Sequence, residues 1–455
     1  MAVGGVGFNL LFETMTTIIQ ALPVVRLLSP KEIAVDDITT ELNDLWQNST
    51  DAVRASTFTL IVYEPEPIQH LLTVIGFYDG PIDGIMGPLT REALLNAQKA
   101  YDLPKTGRAD ETTFTKLKEV YLAASKQGIT PTHAEQNYRA ADAIAQANPC
   151  RIIALCETVE VEQTLQAQVA AYCPIKKQHQ SRMVCCEYIT LAGSSTALEK
   201  YSDSIQELLI PELPQFLWWK GTPGHDRELF LSLANHVTNV ILDSATFANS
   251  AADLQQIPGL LAQNLPLVDI NWQRIAPWQE LTAATFDPPE RRRSIMEIDE
   301  VEVNFERGSS AQAWLYLAWL AGRLGWTPTS YSHEGGDYNL RKISFQSSTG
   351  REVSVELASM PLAEVGDVVG DLMGIKLSST NLNANCATIL CSETAGCMQM
   401  ELKGGAQACQ VEQVNSLSDQ NAEQLVSTYF SRSGHDWLYE ETMNMLGQIL
   451  ALVVN

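Results

Sequence analysis

Basic residues are scarce in this sequence: 30 lysines and arginines stand against 54 aspartates and glutamates, a formal charge of −24 over 455 residues. Such a polyanion is repelled by nucleic acid, anionic lipid and anionic wall polymers, which leaves proteins and small molecules as the expected partners. Long apolar runs are also missing. The most apolar stretch, AWLYLAWLAGRLGW, is interrupted by Arg323, well within the roughly 20 residues a membrane-spanning helix needs. The opening MAVGGVGFNLLFETMTTIIQALPVVRLLSPKE has no basic residue before Arg26, and Glu13 breaks its apolar run. The charged start of an export signal is therefore lacking, and a cytoplasmic location is expected. Nine cysteines are too few for a disulfide scaffold at this length. In a reducing compartment they are expected to be mostly buried thiols, and any disulfide regulatory.

No catalytic constellation stands out either. Gly5 and Gly7 in VGGVGFNLL suggest a dinucleotide loop, but Leu10 fills the third glycine position and no strand precedes it. His225, Asp226 and Glu228 in GHDRE, and His333, Glu334 and Asp337 in SHEGGD, have acid, base or metal-ligand chemistry. Neither group shows the paired spacing of a metal motif, so polar loop residues near a helix start are the expectation. No P-loop and no glycine-elbow serine appear, so no catalytic residue, cofactor or metal is assigned.

What is present begins with GFYDGPIDGIMGPLTREALLNAQKAY at residues 76–101. Apolar residues recur at helical spacing in three segments: Ile68, Leu71, Leu72 and Ile75; Leu89, Ala93, Leu94 and Ala97; Phe114, Leu117 and Val120. Pro88 and Thr90 open the second helix, and Asp110 with Thr113 three residues on opens the third. Gly76, Gly80, Gly84, Gly87 and Gly107 mark the connections. Residues 64–125 thus resemble the peptidoglycan-binding-like domain, a resemblance of fold that does not carry function.

This module interrupts another domain. TFTLIVY at 57–63 and CRIIALC near 151–156 read as buried strands, with an amphipathic helix at 132–147 between the module and the second strand. Lifting the module out leaves a β-α-β unit with an expected right-handed crossover. VEQTLQAQVAAYC reads as a helix, RMVCCEYITL as a strand, STALEKYSDSIQELLI as a helix, and LWW and TNVILDSA as strands. This alternation predicts an α/β domain over 24–63 and 126–290, after an N-terminal segment 1–23. From 291 to 455 an α+β domain is expected, with a strand in IMEIDEVEVNF, a helix at 309–325, two strand pairs around SSTG and SETAG, and a closing helix WLYEETMNMLGQILALVV.

Trp218 and Trp219 in QFLWWKG should point to opposite faces of a strand. Trp272 and Trp278 flank Arg274 in NWQRIAPW, an aromatic and guanidinium combination frequent at interface centres. Core packing is the commoner role for each tryptophan; all five residues are candidates for partner binding.

The motifs NPCRIIALC, PELPQFLWWKGTPG, NVILDSATF, VDINWQRIAPWQELTAATFD and AWLYLAWLAGRLGW, in that order, resemble the glucose-6-phosphate dehydrogenase assembly family OpcA in its cyanobacterial form. The inserted module fits that form too. The resemblance implies a non-catalytic allosteric activator that binds glucose-6-phosphate dehydrogenase, promotes its active oligomer and responds to redox state, with a thioredoxin-type protein as a second partner. The contrasting reading is a wall-associated or carbohydrate-acting enzyme anchored by the module.

Among the cysteines, adjacent Cys185 and Cys186 cannot easily join each other within a strand, and Cys150, Cys156 and Cys173 sit beside apolar runs as inert core thiols. Cys386, Cys391, Cys397 and Cys409 fit no cluster or zinc spacing. Cys391 and Cys397 flank SETAG; facing residues there would lie about 4.5–5.5 Å apart at Cα, which admits either two free thiols or a bond. The redox response that the resemblance implies turns the reading toward a reversible Cys391–Cys397 disulfide.

Overall fold

The computed structural model describes residues 24–48, 52–65, 68–80, 88–125, 144, 148–158, 164–174, 183–224, 227–247, 249–361, 368, 370–381, 383–392, 397–403, 410–416, 422–430 and 436–454. Residues 1–23, His225, Asp226, Cys409 and nearly all of the expected 132–147 helix lie outside them.

The first lobe is built on a nine-stranded sheet: β1 (Val24–Ile33), β2 (Ala52–Arg54), β3 (Thr59–Glu64), β4 (Arg151–Glu157), β5 (Gln166–Pro174), β6 (Met183–Gly193), β7 (Gln215–Trp219), β8 (Asn239–Leu242) and β9 (Leu267–Asp269). Its order is β1-β5-β6-β4-β3-β7-β8-β9, with β2 added beside β6. From β6 to β9 the neighbours run parallel, and β3 pairs directly with β4, as expected once the module is lifted out. β3 and β4 are apolar almost throughout because both faces of a parallel sheet are covered.

The expected helix at 161–173 is instead strand β5, antiparallel to both β1 and β6. Its alanines and glutamines favour helix, but Ala167, Val169, Ala171 and Cys173 recur at period two and are all buried, so sheet packing overrides local preference. STALEKYSDSIQELLI forms two short helices, Ser195–Lys200 and Ser202–Glu207, where one was expected.

The second lobe carries an eight-stranded sheet: β10 (Glu300–Glu306), β11 (Thr327–Glu334), β12 (Leu340–Gln346), β13 (Glu352–Met360), β14 (Leu372–Ser378), β15 (Cys386–Ser392), β16 (Cys397–Lys403) and β17 (Gln410–Ser416). The order is β11-β12-β13-β10-β14-β15-β16-β17. The helix Ala311–Leu324, within the helix expected at 309–325, is buried from Ala311 to Ala321 without interruption. It packs against β10, against the first-lobe helices Ser250–Leu254 and Ile270–Arg274, and against the closing helix Trp437–Val454. A single apolar cluster therefore runs from Ile61 and Leu217 of the first sheet, through Trp314 and Leu317, to Val355 and Ile389 of the second. The helix Ala422–Tyr429 returns to the first sheet, where Val426 and Tyr429 join a cluster with Leu60 and Trp218.

The module forms the three expected helices, Ile68–Val74, Pro88–Ala100 and Glu111–Ser125. Asp110 caps the third by accepting the Thr113 N–H at 2.9 Å. Leu71, Leu72, Leu94, Ala97, Leu117 and Tyr121 make a core separate from that of the lobes. Leu89, expected on the apolar face, is exposed.

Candidate functional site

The first sheet reverses its order between β3 and β7: the chain runs outward through β4 and β6, then returns to β7, β8 and β9 on the other side. At such a switch point the connections leave in opposite directions and a crevice opens beyond the carboxyl ends of the strands, where open α/β sheets bind ligands. The groups here define the site.

At the end of β3, Glu64 is held by Lys220 just beyond β7, at 2.8 Å. Lys220 also lies over the Trp218 ring, 4.5 Å from its centroid. Tyr63 stacks on Trp219 with ring centroids 3.7 Å apart, and its hydroxyl donates to Glu157 at the end of β4 at 2.7 Å. No glycine-rich turn follows β3; the chain passes through Pro65 toward the inserted module. The end of β3 thus carries an ion pair and an aromatic stack, with no glycine-rich turn beside them.

Farther along the strand ends, Arg274 donates both terminal nitrogens to Asp243, at 2.6 and 2.9 Å. Asp243 follows β8 and Asp269 ends β9, each where an apolar strand gives way to a helical turn that it caps. Asp269 Oδ1 accepts the Ser244 and Asn271 N–H groups, and Asp243 Oδ1 accepts that of Ala245. Asn271 donates to the Ser244 hydroxyl and accepts from Arg274, which closes the network. Burial pushes the Asp269 carboxyl up to about 6, despite those N–H donors. For Arg274, burial opposes the charge, but the charge and hydrogen bonds of Asp243, with the charges of Asp371 and Asp269, together hold the guanidinium above its ordinary value.

The second lobe meets this edge through the start of the 311–324 helix. Ser309 and Ser250 share a hydroxyl hydrogen bond at 3.0 Å, and Gln312 donates to Asp371 at 2.6 Å. Gly370 has φ +85° and a Cβ there would fall 2.1 Å from the Ser309 carbonyl oxygen, so only glycine allows this approach. Glu306, at the end of β10, accepts the Gly370 N–H at 3.3 Å and faces Arg91 of the module at 3.6 Å. Burial pushes its carboxyl up to about 7, against the pull of Arg91.

The five expected partner-binding residues are all buried within the chain: Trp218, Trp219, Trp272, Arg274 and Trp278 are each less than a tenth exposed. Trp218 and Trp219 do fall in different core clusters, as alternation in a strand requires. Trp272 donates to Asp436 at 3.0 Å, tying the first lobe to the closing helix. Each packs inside this molecule, which is the core role expected as the commoner one for the tryptophans. His333 contacts Asn339 at 2.5 Å and Glu334 pairs with Lys342, on an exposed part of the second sheet. Among the described residues no group of three metal-ligating side chains is found.

The hairpin around SETAG pairs β15 with β16 antiparallel, as expected, but with a different register. Cys391 is the partner of Met398, and Cys397 of Ser392. In that backbone register the two cysteines are offset by one residue. A disulfide occurs elsewhere: Cys173 of β5 is bonded to Cys185 of β6 with Cα atoms 4.1 Å apart, and both are fully buried. Reading 161–173 as a helix hid this pair; read as a strand, it places the cysteines opposite each other on adjacent strands.

Comparison with known proteins finds three family models along the chain. Residues 141–258 match the family described as Glucose-6-phosphate dehydrogenase subunit N-terminal domain, and 265–443 its C-terminal domain counterpart. Residues 64–117 match the Putative peptidoglycan binding domain. The chain is 46% identical over 449 residues to the "Putative OxPP cycle protein OpcA" of Synechocystis sp., covering 95% of this chain and 94% of that protein. It is also 46% identical to the protein of the same description from Nostoc punctiforme, covering 95% and 97%. Among solved structures, the putative oxidoreductase yvaA from Bacillus subtilis aligns with a TM-score of 0.38 at 9% identity, over 58% of this chain and 82% of that one.

Proposed function

We propose that this chain, which belongs to the OpcA family of glucose-6-phosphate dehydrogenase assembly proteins, binds glucose-6-phosphate dehydrogenase and promotes its active oligomer without catalysis of its own. The observation that carries this reading is the 46% identity sustained across 95% of the chain to proteins described as OpcA. The sequence after β3 supports the non-catalytic part: Glu64 and Pro65 lead toward the inserted module where a dinucleotide-binding strand would be followed by a glycine-rich turn.

An activator of this kind shifts its partner's equilibrium only by binding the active form more tightly than the inactive one. Substrate that favours the active form must then tighten binding of this chain by the same factor. Co-purification with glucose-6-phosphate dehydrogenase, followed by titration with and without glucose 6-phosphate, tests both steps. No association, or an affinity indifferent to substrate while the substrate's own affinity changes, refutes the reading.

Redox control is assigned to the hairpin of β15 and β16. In the described backbone register Cys391 and Cys397 are offset by one residue, and moving β16 by one residue along β15 would set them opposite each other. Oxidation would thus be coupled to a rearranged hairpin, and reduction by a thioredoxin-type protein to its return. Cys391→Ser and Cys397→Ser should each abolish the difference between oxidised and reduced protein in activating the dehydrogenase. If both variants keep that difference, the switch lies elsewhere.

A further inference from the structure

The module enters the chain at the mouth of the crevice and is fastened there by two arginines that reach different lobes. Arg108 Nη2 donates to the Phe247 carbonyl at 2.5 Å, in the loop after β8; burial holds its guanidinium down at about 10, and the Asp253 carboxylate only partly offsets that burial. Arg91 faces Glu306 at the end of β10, in the second lobe. We propose that the crevice is a guanidinium-binding seat, filled in cis by the inserted module, which docks as a separable unit through Arg91 and Arg108.

Three features support the seat. Its groups are a carbonyl and two carboxylates, acceptors suited to the planar donor fork of arginine. Local structure also aims the arginines. Buried Gln98 accepts the Gly107 N–H at 2.9 Å and donates to the Arg108 carbonyl at 2.9 Å, which fixes the turn that carries Arg108. Gly107 has φ +65°, and a Cβ there would lie 2.9 Å from Arg91 Cγ, so its lack of a side chain lets both arginines stand together. Finally, the seat is polar while the module's apolar core is its own, so undocking would leave that core intact. The fit has slack: Arg91 Nη2 and Glu306 Oε1 have no hydrogen-bond partner.

The ligand class that fits such a seat is an arginine-bearing protein segment, and any segment supplied in trans has to displace the module. This inference stands apart from the activator reading. It is tested by hydrogen exchange on the full chain carrying Arg91→Met, Arg108→Met, both, or both as lysine. Arg108→Met should speed exchange in residues 244–253, and Arg91→Met in 306–312 and 370–373. The factor should be about ten or more for Arg108→Met, as expected for losing one charge-assisted hydrogen bond, and smaller for Arg91→Met, whose contact with Glu306 is an ion pair at 3.6 Å. Protection of the helices Ile68–Val74, Pro88–Ala100 and Glu111–Ser125 should stay unchanged, and the lysine variant should recover part of the loss. Unchanged exchange at the seat would overturn the docking role. Equal loss of protection in the module's helices would overturn its separability, and the single variants keep the test decisive if the double methionine variant fails to fold.

Discussion

Replacing Arg274 with methionine separates a partner-binding role from an internal one. Arg274 is 3% exposed and Asp243 6%, and two hydrogen bonds of 2.6 and 2.9 Å join them. With the arginine gone, Asp243 keeps the Ala245 N–H but loses its counter-charge in a buried site that also holds Asp269. Removing one member of such a pair costs about 3–5 kcal/mol. With an m-value of about 3 kcal/mol/M for urea, the unfolding midpoint followed by tryptophan fluorescence should fall by about 1–1.7 M. Asp243→Asn combined with Arg274→Met removes the orphaned charge, and should recover about 2 kcal/mol of the loss. A residue on a partner surface would behave differently, with lost affinity at unchanged midpoint. A single-variant loss below about 1 kcal/mol, or strict additivity in the double variant, refutes the internal assignment.

Asp269 titrates at about 6 when folded and at about 3.9 when unfolded, so the folded state holds the extra proton between these values. Its contribution therefore falls as pH rises from about 4 to 6. Asp269→Asn keeps the Oδ1 acceptor and should flatten that part of the stability profile; an unchanged slope in urea titrations from pH 4 to 7 would contradict the assignment. The Cys173–Cys185 bond closes a loop with a sequence separation of 12, worth about 3 kcal/mol by loop entropy. Cys173→Ala with Cys185→Ala should lose about that much in denaturant titration, and the native bond should resist added dithiothreitol until denaturant is present, by thiol counting. Gly107→Ala, at φ +65°, should lower stability by about 1–2 kcal/mol. A neutral result in thermal denaturation would show that the turn relaxes without moving Arg91.

Periodicity made the module and the central strands legible, since β3, β4 and β7 carry continuous apolar runs and the module's glycines and Asp110 mark its turns. Edge strands were harder. β11, TPTSYSHE, is mostly exposed and has no apolar face to read, while β5 is built from residues that favour helices. The crevice was legible only in pieces: Arg274 was singled out for a different role, because its partner Asp243 lies 31 residues away and pairing across that gap is a product of the fold. A usable signal was present all the same. LDSA and LVDI both end an apolar strand on an aspartate, the position from which a side chain caps the next turn and looks into the switch point. The tryptophans carried no such discrimination, since a buried indole and an interface indole have the same neighbours in sequence.

The helix Ala311–Leu324 bears on how the molecule comes apart. Because it is enclosed on all sides and its apolar neighbours belong to both sheets, a cut near residue 290 would pass between two sheets without passing between two cooperative units. A fragment of either lobe alone would carry a bared surface meant for this helix, and would aggregate before it could be assayed. Heat should accordingly melt both lobes in one transition, leaving only the module, with its private core, able to melt on its own. Dissection of the protein into working parts should begin at the module and not at the midpoint of the chain.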